Sequence, residues 1–304
     1  MYLHENKELF TKIISDINSQ TGISQDIIEK DYYVTMILSL LAHKNNDIVF
    51  KGGTSLSKCF HLINRFSEDI DITFSKHIGA SRRKKLKYET IKFISEELGM
   101  PIENWDSTES DRDYNCYLLN YEPAVEYQTV GITTGVKLET ALISYAFPTE
   151  PCNISSIIFD ELHDKVPDII AKHNLLPFPI QTQSASRTFI DKIFALCDYY
   201  LKNETNRFSR HLYDIHMIYP TITFDAGFKK LLEEVRIHRS SLSVCPSAKD
   251  GIDIKAIIDE FIRKDFFRRD YEVVTENLIT DNVSSHRPDT RYLRARGNSR
   301  RAER

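Results

Sequence analysis

Apolar positions recur at helical spacing near the start of the chain, where Leu9, Phe10, Ile13, Ile14 and Ile17 form one stripe between Glu8 and Ile17. The same texture continues from Ile27 to Leu41. Asp47-Ile48-Val49-Phe50 then reads as a short buried strand that the glycine pair Gly52-Gly53 breaks, and the helical period returns from Leu56 to Ile63. Asp69-Ile70-Asp71-Ile72-Thr73-Phe74 alternates with period two, the mark of a half-buried strand. A helix is expected over about Ser81 to Leu98, and strands over Tyr114 to Leu119 and Gly135 to Ser144. Two prolines in Phe147 to Cys152 make that stretch the expected domain boundary. Beyond it the pattern predicts helices near Ile157–Asp160, Ser186–Lys202, Arg207–Tyr219, Phe224–Glu234 and Lys255–Thr280, and no internal repeat is visible.

The chemistry concentrates where strand meets glycine. A Gly52-Gly53-Thr54-Ser55 turn at the head of a helix offers free backbone N–H groups and the positive end of a dipole, and glycine lets a phosphate come close. Ser55 can add a hydroxyl donor. Asp69 and Asp71 leave one face of their strand roughly 6.5 to 7 Å apart, while Ile70 and Ile72 enter the core. Two carboxylates side by side repel unless a cation lies between them, and hard oxygen ligands at that spacing suit Mg²⁺, or Mn²⁺, completed by substrate phosphates.

The run Phe50-Lys51-Gly52-Gly53-Thr54-Ser55-Leu56-Ser57-Lys58, followed by Arg65-Phe66-Ser67-Glu68-Asp69-Ile70-Asp71, resembles the AbiEii/AbiGii toxin family of nucleotidyltransferases, relatives of the MenT toxins within the DNA polymerase β-like superfamily. Ile28-Glu29-Lys30-Asp31-Tyr32-Tyr33-Val34-Thr35 resembles its N-terminal helices. Arg187-Thr188-Phe189-Ile190-Asp191-Lys192 and Arg210-His211-Leu212-Tyr213-Asp214-Ile215 resemble its two later motifs, in order, so the likeness spans about residues 5 to 283. It implies an α+β fold: a polymerase β-like nucleotidyltransferase core, a small mixed sheet flanked by helices, with a helical C-terminal domain. The division expected is N-terminal helices at 1–46, the core at 47–150, the helical domain at 151–283 and a separate tail at 284–304.

The resemblance implies a site as well. Asp69 and Asp71 are then metal ligands, with Gly52, Gly53, Thr54, Ser55 and Ser67 around the nucleotide. Glu139 is the candidate third carboxylate, as ligand or base, or else the ion-pair partner of Lys137. Lys192 would neutralise the phosphates as pyrophosphate leaves, or lie along the surface beside the apolar stripe of Phe189, Ile193, Phe194 and Leu196. Asp214 would orient Lys192 or a base, or pair with Arg210 one helical turn away. In MenT-like relatives the serine at the place of Ser67 is where an antitoxin acts by phosphorylation, and a phosphate there would block nucleotide entry. The activity implied is transfer of NMP from an NTP to an RNA 3′ end, the acceptor of tRNA in MenT-like members, by a toxin with a cognate antitoxin encoded nearby. The same metal site would also serve a nucleotidyltransferase acting on a protein or small molecule, and the fold alone would serve a non-catalytic nucleotide-binding module.

Composition bounds the rest. At 304 residues and 41% hydrophobic the chain can bury a sizeable core, and no apolar run approaches a membrane span of ~20 residues. The charged start, Met1 to Lys7, does not read as a signal peptide. Five scattered cysteines without C-x-x-C spacing fit reduced thiols in the cytoplasm and no zinc knuckle. With a net charge of −4, a nucleic acid must be met by a local patch, for which Ser81-Arg82-Arg83-Lys84-Lys85-Leu86-Lys87 is a candidate, or else a solvated helix face. Residues 284–304 hold Arg287, Arg291, Arg294, Arg296, Arg300, Arg301 and Arg304 and no lysine. That composition predicts disorder, either as an RNA-binding arm or as sequence foreign to the natural protein.

Overall fold

The computed structural model describes residues 1–279 apart from 130, 144 and 207. The arginine-rich stretch 284–304 therefore lies outside the described residues. The chain forms two compact units, one of residues 1–61 and 66–184, the other of residues 62–65 and 185 onward.

In the first unit, helices α1 (Lys7–Thr21) and α2 (Gln25–Lys44) take the place that the apolar stripes predict. Gly22 ends α1 at φ 76°, a left-handed cap that glycine occupies without steric cost. Strand β1 (Ile48–Lys51) runs into α3 (Gly52–Lys58), and β2 (Ile70–Phe74) pairs antiparallel with β1. The basic stretch is helical as α4 (Ala80–Lys85), a π-helical turn at Leu86–Ile91 and α5 (Lys92–Glu97). Strands β3 (Tyr114–Leu119), β4 (Val136–Ala141), β5 (Thr149–Ile154) and β6 (Phe178–Gln183) complete a mixed sheet in the order β3-β4-β2-β1-β6-β5. Between β5 and β6 lie the short helices α6 (Ile157–Leu162) and α7 (Pro167–Lys172). Phe50, Ile70, Ile72 and Leu138 are fully buried and join Ile14, Tyr32 and Ile37 of the first two helices in one core.

The boundary expected at Phe147 to Cys152 is instead β5, and the first unit continues to Ser184. Pro151 read as a breaker, but β5 is the outermost strand, where a missing N–H costs no ladder bond on the open side. The core thus extends past residue 150 and takes in β6, whose alternation Pro179 interrupts.

The second unit is helical: α8 (Ala185–Leu201), α9 (Arg210–Ile218), α10 (Ala226–Ser240) and α11 (Ile254–Arg263). Its core gathers Ile190 and Phe194 of α8 with Val235, Leu242 and Ala248. The single helix expected over Lys255–Thr280 breaks after Arg263, where Asp265 adopts φ 49°. Among the described residues no helix is long and apolar enough to cross a membrane.

Candidate active site

Acidic residues neighbour one another on the central strands. Lys51 of β1 lies opposite Asp71 of β2, and Asp71 lies level with Glu139 of the parallel neighbour β4. Asp69 precedes Asp71 by two residues and so shares its face, while Ile70, Ile72 and Leu138 point into the core. Burial and the negative charges of Asp71 and Asp69 push the Glu139 carboxyl up to about 7.

Gly52 closes the other side. It has φ +81°, and a Cβ built on it would stand 2.1 Å from Asp71 Oδ2. Only glycine allows both the backbone turn and the carboxylate's approach. The hydroxyls that follow are turned inward. Thr54 Oγ1 donates to the Asp69 carbonyl at 2.5 Å and meets the Ser67 hydroxyl at 3.0 Å, which ties the start of α3 to the acidic strand. Ser55 is fully buried and donates to the Gly52 carbonyl at 2.9 Å. The donor expected of Ser55 toward an anion is therefore spent on shaping the turn.

Charged residues of α2 hold this face from behind, a role the sequence did not disclose. Lys30 is buried, pairs with Glu68 at 3.0 Å and donates to the carbonyls of Thr133 and Gly135. Asp31 takes Lys58 of α3 at 2.6 Å and the Ile157 amide at 2.8 Å. Glu29 accepts the Ala124 amide at 2.7 Å, and burial pushes its carboxyl up to about 7. Charge inside a helix that otherwise reads apolar is the signal that could have found these partners.

Lys192 and Asp214 meet in the second unit. Lys192 is buried, with Nζ 2.7 Å from Asp214 Oδ2 and 3.3 Å from His211 Nδ1, so it does not lie along the surface. Burial lowers its proton affinity, and the Asp214 carboxylate opposes that effect. Asp214 is wholly buried and pairs with Arg65: Nε lies 2.7 Å from Oδ1 and Nη2 2.7 Å from Oδ2. Burial alone would raise the Asp214 carboxyl, but the charges of Arg65 and Lys192 outweigh it and hold the group well below the ordinary carboxylate range. Desolvation and the neighbouring Lys192 charge hold the half-buried His211 imidazole well below its ordinary value.

The basic run on α4 is largely engaged. Arg82 pairs with Asp47, Arg83 with Asp113 at 2.9 Å, and Lys87 is buried on the Thr108 carbonyl with the Trp105 ring 4.5 Å away. Lys84 and Lys85 remain on the exposed face.

Among the described residues no group of three or more His, Cys, Asp and Glu side chains forms a ready-made metal cage. The donor set nevertheless fits a hard divalent cation. Asp69, Asp71 and Glu139 offer only carboxylate oxygens, crowded enough to force one toward its neutral form, and such sites take substrate phosphate oxygens to complete their shell.

A mixed sheet whose central strands carry neighbouring carboxylates beside a glycine turn offers the parts that nucleotidyl transfer uses. The chain belongs to the nucleotidyl transferase AbiEii toxin family (Type IV TA system), whose family model matches residues 38–294. Its fold is similar to that of the nucleotidyltransferase toxin MenT4 from Mycobacterium tuberculosis H37Rv, with a TM-score of 0.50 at 15% identity over 94% of this chain and 98% of that one. No curated protein matches the chain. Membership makes it a toxin nucleotidyltransferase. Enzymes of this kind use an NTP and a divalent metal, and the family implies an antitoxin partner.

Proposed function

We propose that the protein is the toxin of a toxin–antitoxin or phage-defence pair, acting in the cytoplasm, and that it moves NMP from an NTP to the 3′-hydroxyl of RNA. The acceptor we assign is the 3′ end of tRNA, whose blocked aminoacylation halts translation. The observation that carries this reading is the level pairing of Asp71 with Glu139 across parallel strands, with Gly52 pressed against Asp71.

In this reading Asp69, Asp71 and Glu139 hold Mg²⁺ or Mn²⁺. The bound ion would supply charge neutralisation for the triphosphate and for the pyrophosphate that departs. Gly52 and Gly53 cup the polyphosphate, since no side chain there stands in its way. Thr54 and Ser55 keep the turn in shape, and Thr54 fixes the Asp69 backbone. Lys192 offsets negative charge on the leaving group, and Asp214 orients Lys192 through their 2.7 Å contact. Positioning and charge neutralisation carry most of the rate in such transfers. Ser67, bonded to Thr54, is a site where phosphorylation by an antitoxin would add about two negative charges beside the carboxylates.

The test is incubation of radioactive NTPs with total RNA, protein and metabolite fractions, with Asp69→Ala as the control. Label in RNA that disappears in a folded Asp69→Ala protein supports the reading. Label in the protein or metabolite fraction would move the acceptor to that class, and no labelling anywhere would overturn transfer itself.

A further inference from the structure

Residues Leu62–Arg65 belong to the second unit although the chain before and after them belongs to the first. This four-residue excursion is held firmly. The Asn64 amide donates to the Tyr213 hydroxyl at 3.1 Å, and Arg65 forms an isolated antiparallel bridge with Ile279. The strongest hold is the guanidinium of Arg65, which is buried and grips both oxygens of Asp214 at 2.7 Å.

Asp214 has two cationic partners of different kinds. Arg65 presents a planar fork that matches a carboxylate edge to edge and fixes its rotation. Lys192 reaches the same carboxylate with a single ammonium on a flexible stem, its Nζ 2.7 Å from Oδ2. With the fork in place, Oδ2 has one position and the ammonium has one place to stand. Without it the carboxylate can turn about its own axis and the lysine can follow it.

We propose that Arg65 is a positioning residue of the transfer reaction: by clamping Asp214 through both oxygens, it fixes the point at which Asp214 holds the Lys192 ammonium. The proposal rests on the assignment of Lys192 to the departing phosphates. It also gives a physical use to the arginine at the head of the Arg65-Phe66-Ser67-Glu68-Asp69 run. The substitution that separates geometry from charge is Arg65→Lys, which keeps a cation and loses the fork.

The experiment is a double-mutant cycle on labelled NMP transfer to RNA, with Arg65→Lys, Lys192→Met and the double variant, each checked for an unchanged melting temperature. Misplacement of a charge-bearing group by about 1 Å costs up to about 100-fold in rate. Arg65→Lys is therefore expected to lower kcat about 10- to 100-fold with KM for NTP changed less than about 2-fold. In the Lys192→Met background it should cost less than about 2-fold further, because the group it positions is gone. Equal losses in both backgrounds would mean a general structural role and overturn the proposal, as would full activity of Arg65→Lys alone. Full activity of Lys192→Met would overturn the underlying assignment of the lysine, and this proposal with it. Should Arg65→Lys melt early, Arg65→Gln with kcat read below its own melting range serves the same cycle.

Discussion

Gly52 and Asp71 occupy space that only one side chain can fill: a methyl group on Gly52 would stand 2.1 Å from the Asp71 carboxylate. Gly52→Ala must therefore displace Asp71 and also force an L-residue to φ +81°, which alone costs about 1–2 kcal/mol. The variant is expected to fold with a lower melting temperature and to lose transfer activity, read by thermal melts and labelled-NTP assays. Gly79, where a Cβ meets nothing within 4 Å, is the control position for the same change.

Mg²⁺ should stabilise the folded chain. At 100 times its Kd a ligand that binds only the native state adds about 2.7 kcal/mol. The melting temperature is expected to rise with Mg²⁺ and NTP together, and the rise should vanish in Asp71→Asn. An equal rise in both proteins would place the cation elsewhere.

Lys30 and Glu68 form a buried pair, and taking away one member of such a pair costs about 3–5 kcal/mol. Lys30→Met is expected to fall in that range by urea denaturation, since it also strands the Thr133 and Gly135 carbonyls. Lys30→Met combined with Glu68→Gln should recover part of the loss.

Much of the acidic face was legible in the sequence because it obeys local rules. Alternation places Asp69 and Asp71 together, and a glycine pair after a strand marks the turn. Glu139 needed the resemblance, since no local rule sets β4 beside β2. The partners of Lys192 and Asp214 were hidden for a different reason. Arg65 is 149 residues from Asp214, and helical spacing points only to the local Arg210. Pro151 and Pro179 likewise misled, because a proline says nothing about whether its strand lies at an edge.

Glu29 gives a pH dependence with a defined sign. Its carboxyl sits at about 7 in the fold because burial penalises the charge, so the folded protein binds a proton that the unfolded chain has already lost. The stability it contributes is complete below the ordinary glutamate range, near pH 4.5, and fades as pH rises through about 7. Glu29→Gln keeps an oxygen for the Ala124 amide and is expected to flatten the thermal stability profile between those values. A tenfold difference in proton affinity between folded and unfolded chains is worth about 1.4 kcal/mol, so the flattening is large enough to read in melts taken across that range. A variant profile parallel to that of the parent would remove Glu29 as the cause.

In the π-helical turn after α4, Lys87→Gln should cost about 1–3 kcal/mol, as a buried donor leaves the Thr108 carbonyl. Lys84→Gln with Lys85→Gln should leave stability within about 0.5 kcal/mol per site. If this face meets RNA, that pair will weaken binding and lessen its salt dependence, measured by titration at several ionic strengths.

Strand β6 lies between β1 and β5, so the strand that leads into Gly52 depends on residues 178–183 for its neighbour. A fragment cut at residue 150, where the prolines invite a cut, would leave β1 with a bare row of amides and carbonyls, a template for pairing between copies. Any shortened form meant for expression must therefore run through Ser184, or precipitation will mask whatever the acidic face can do.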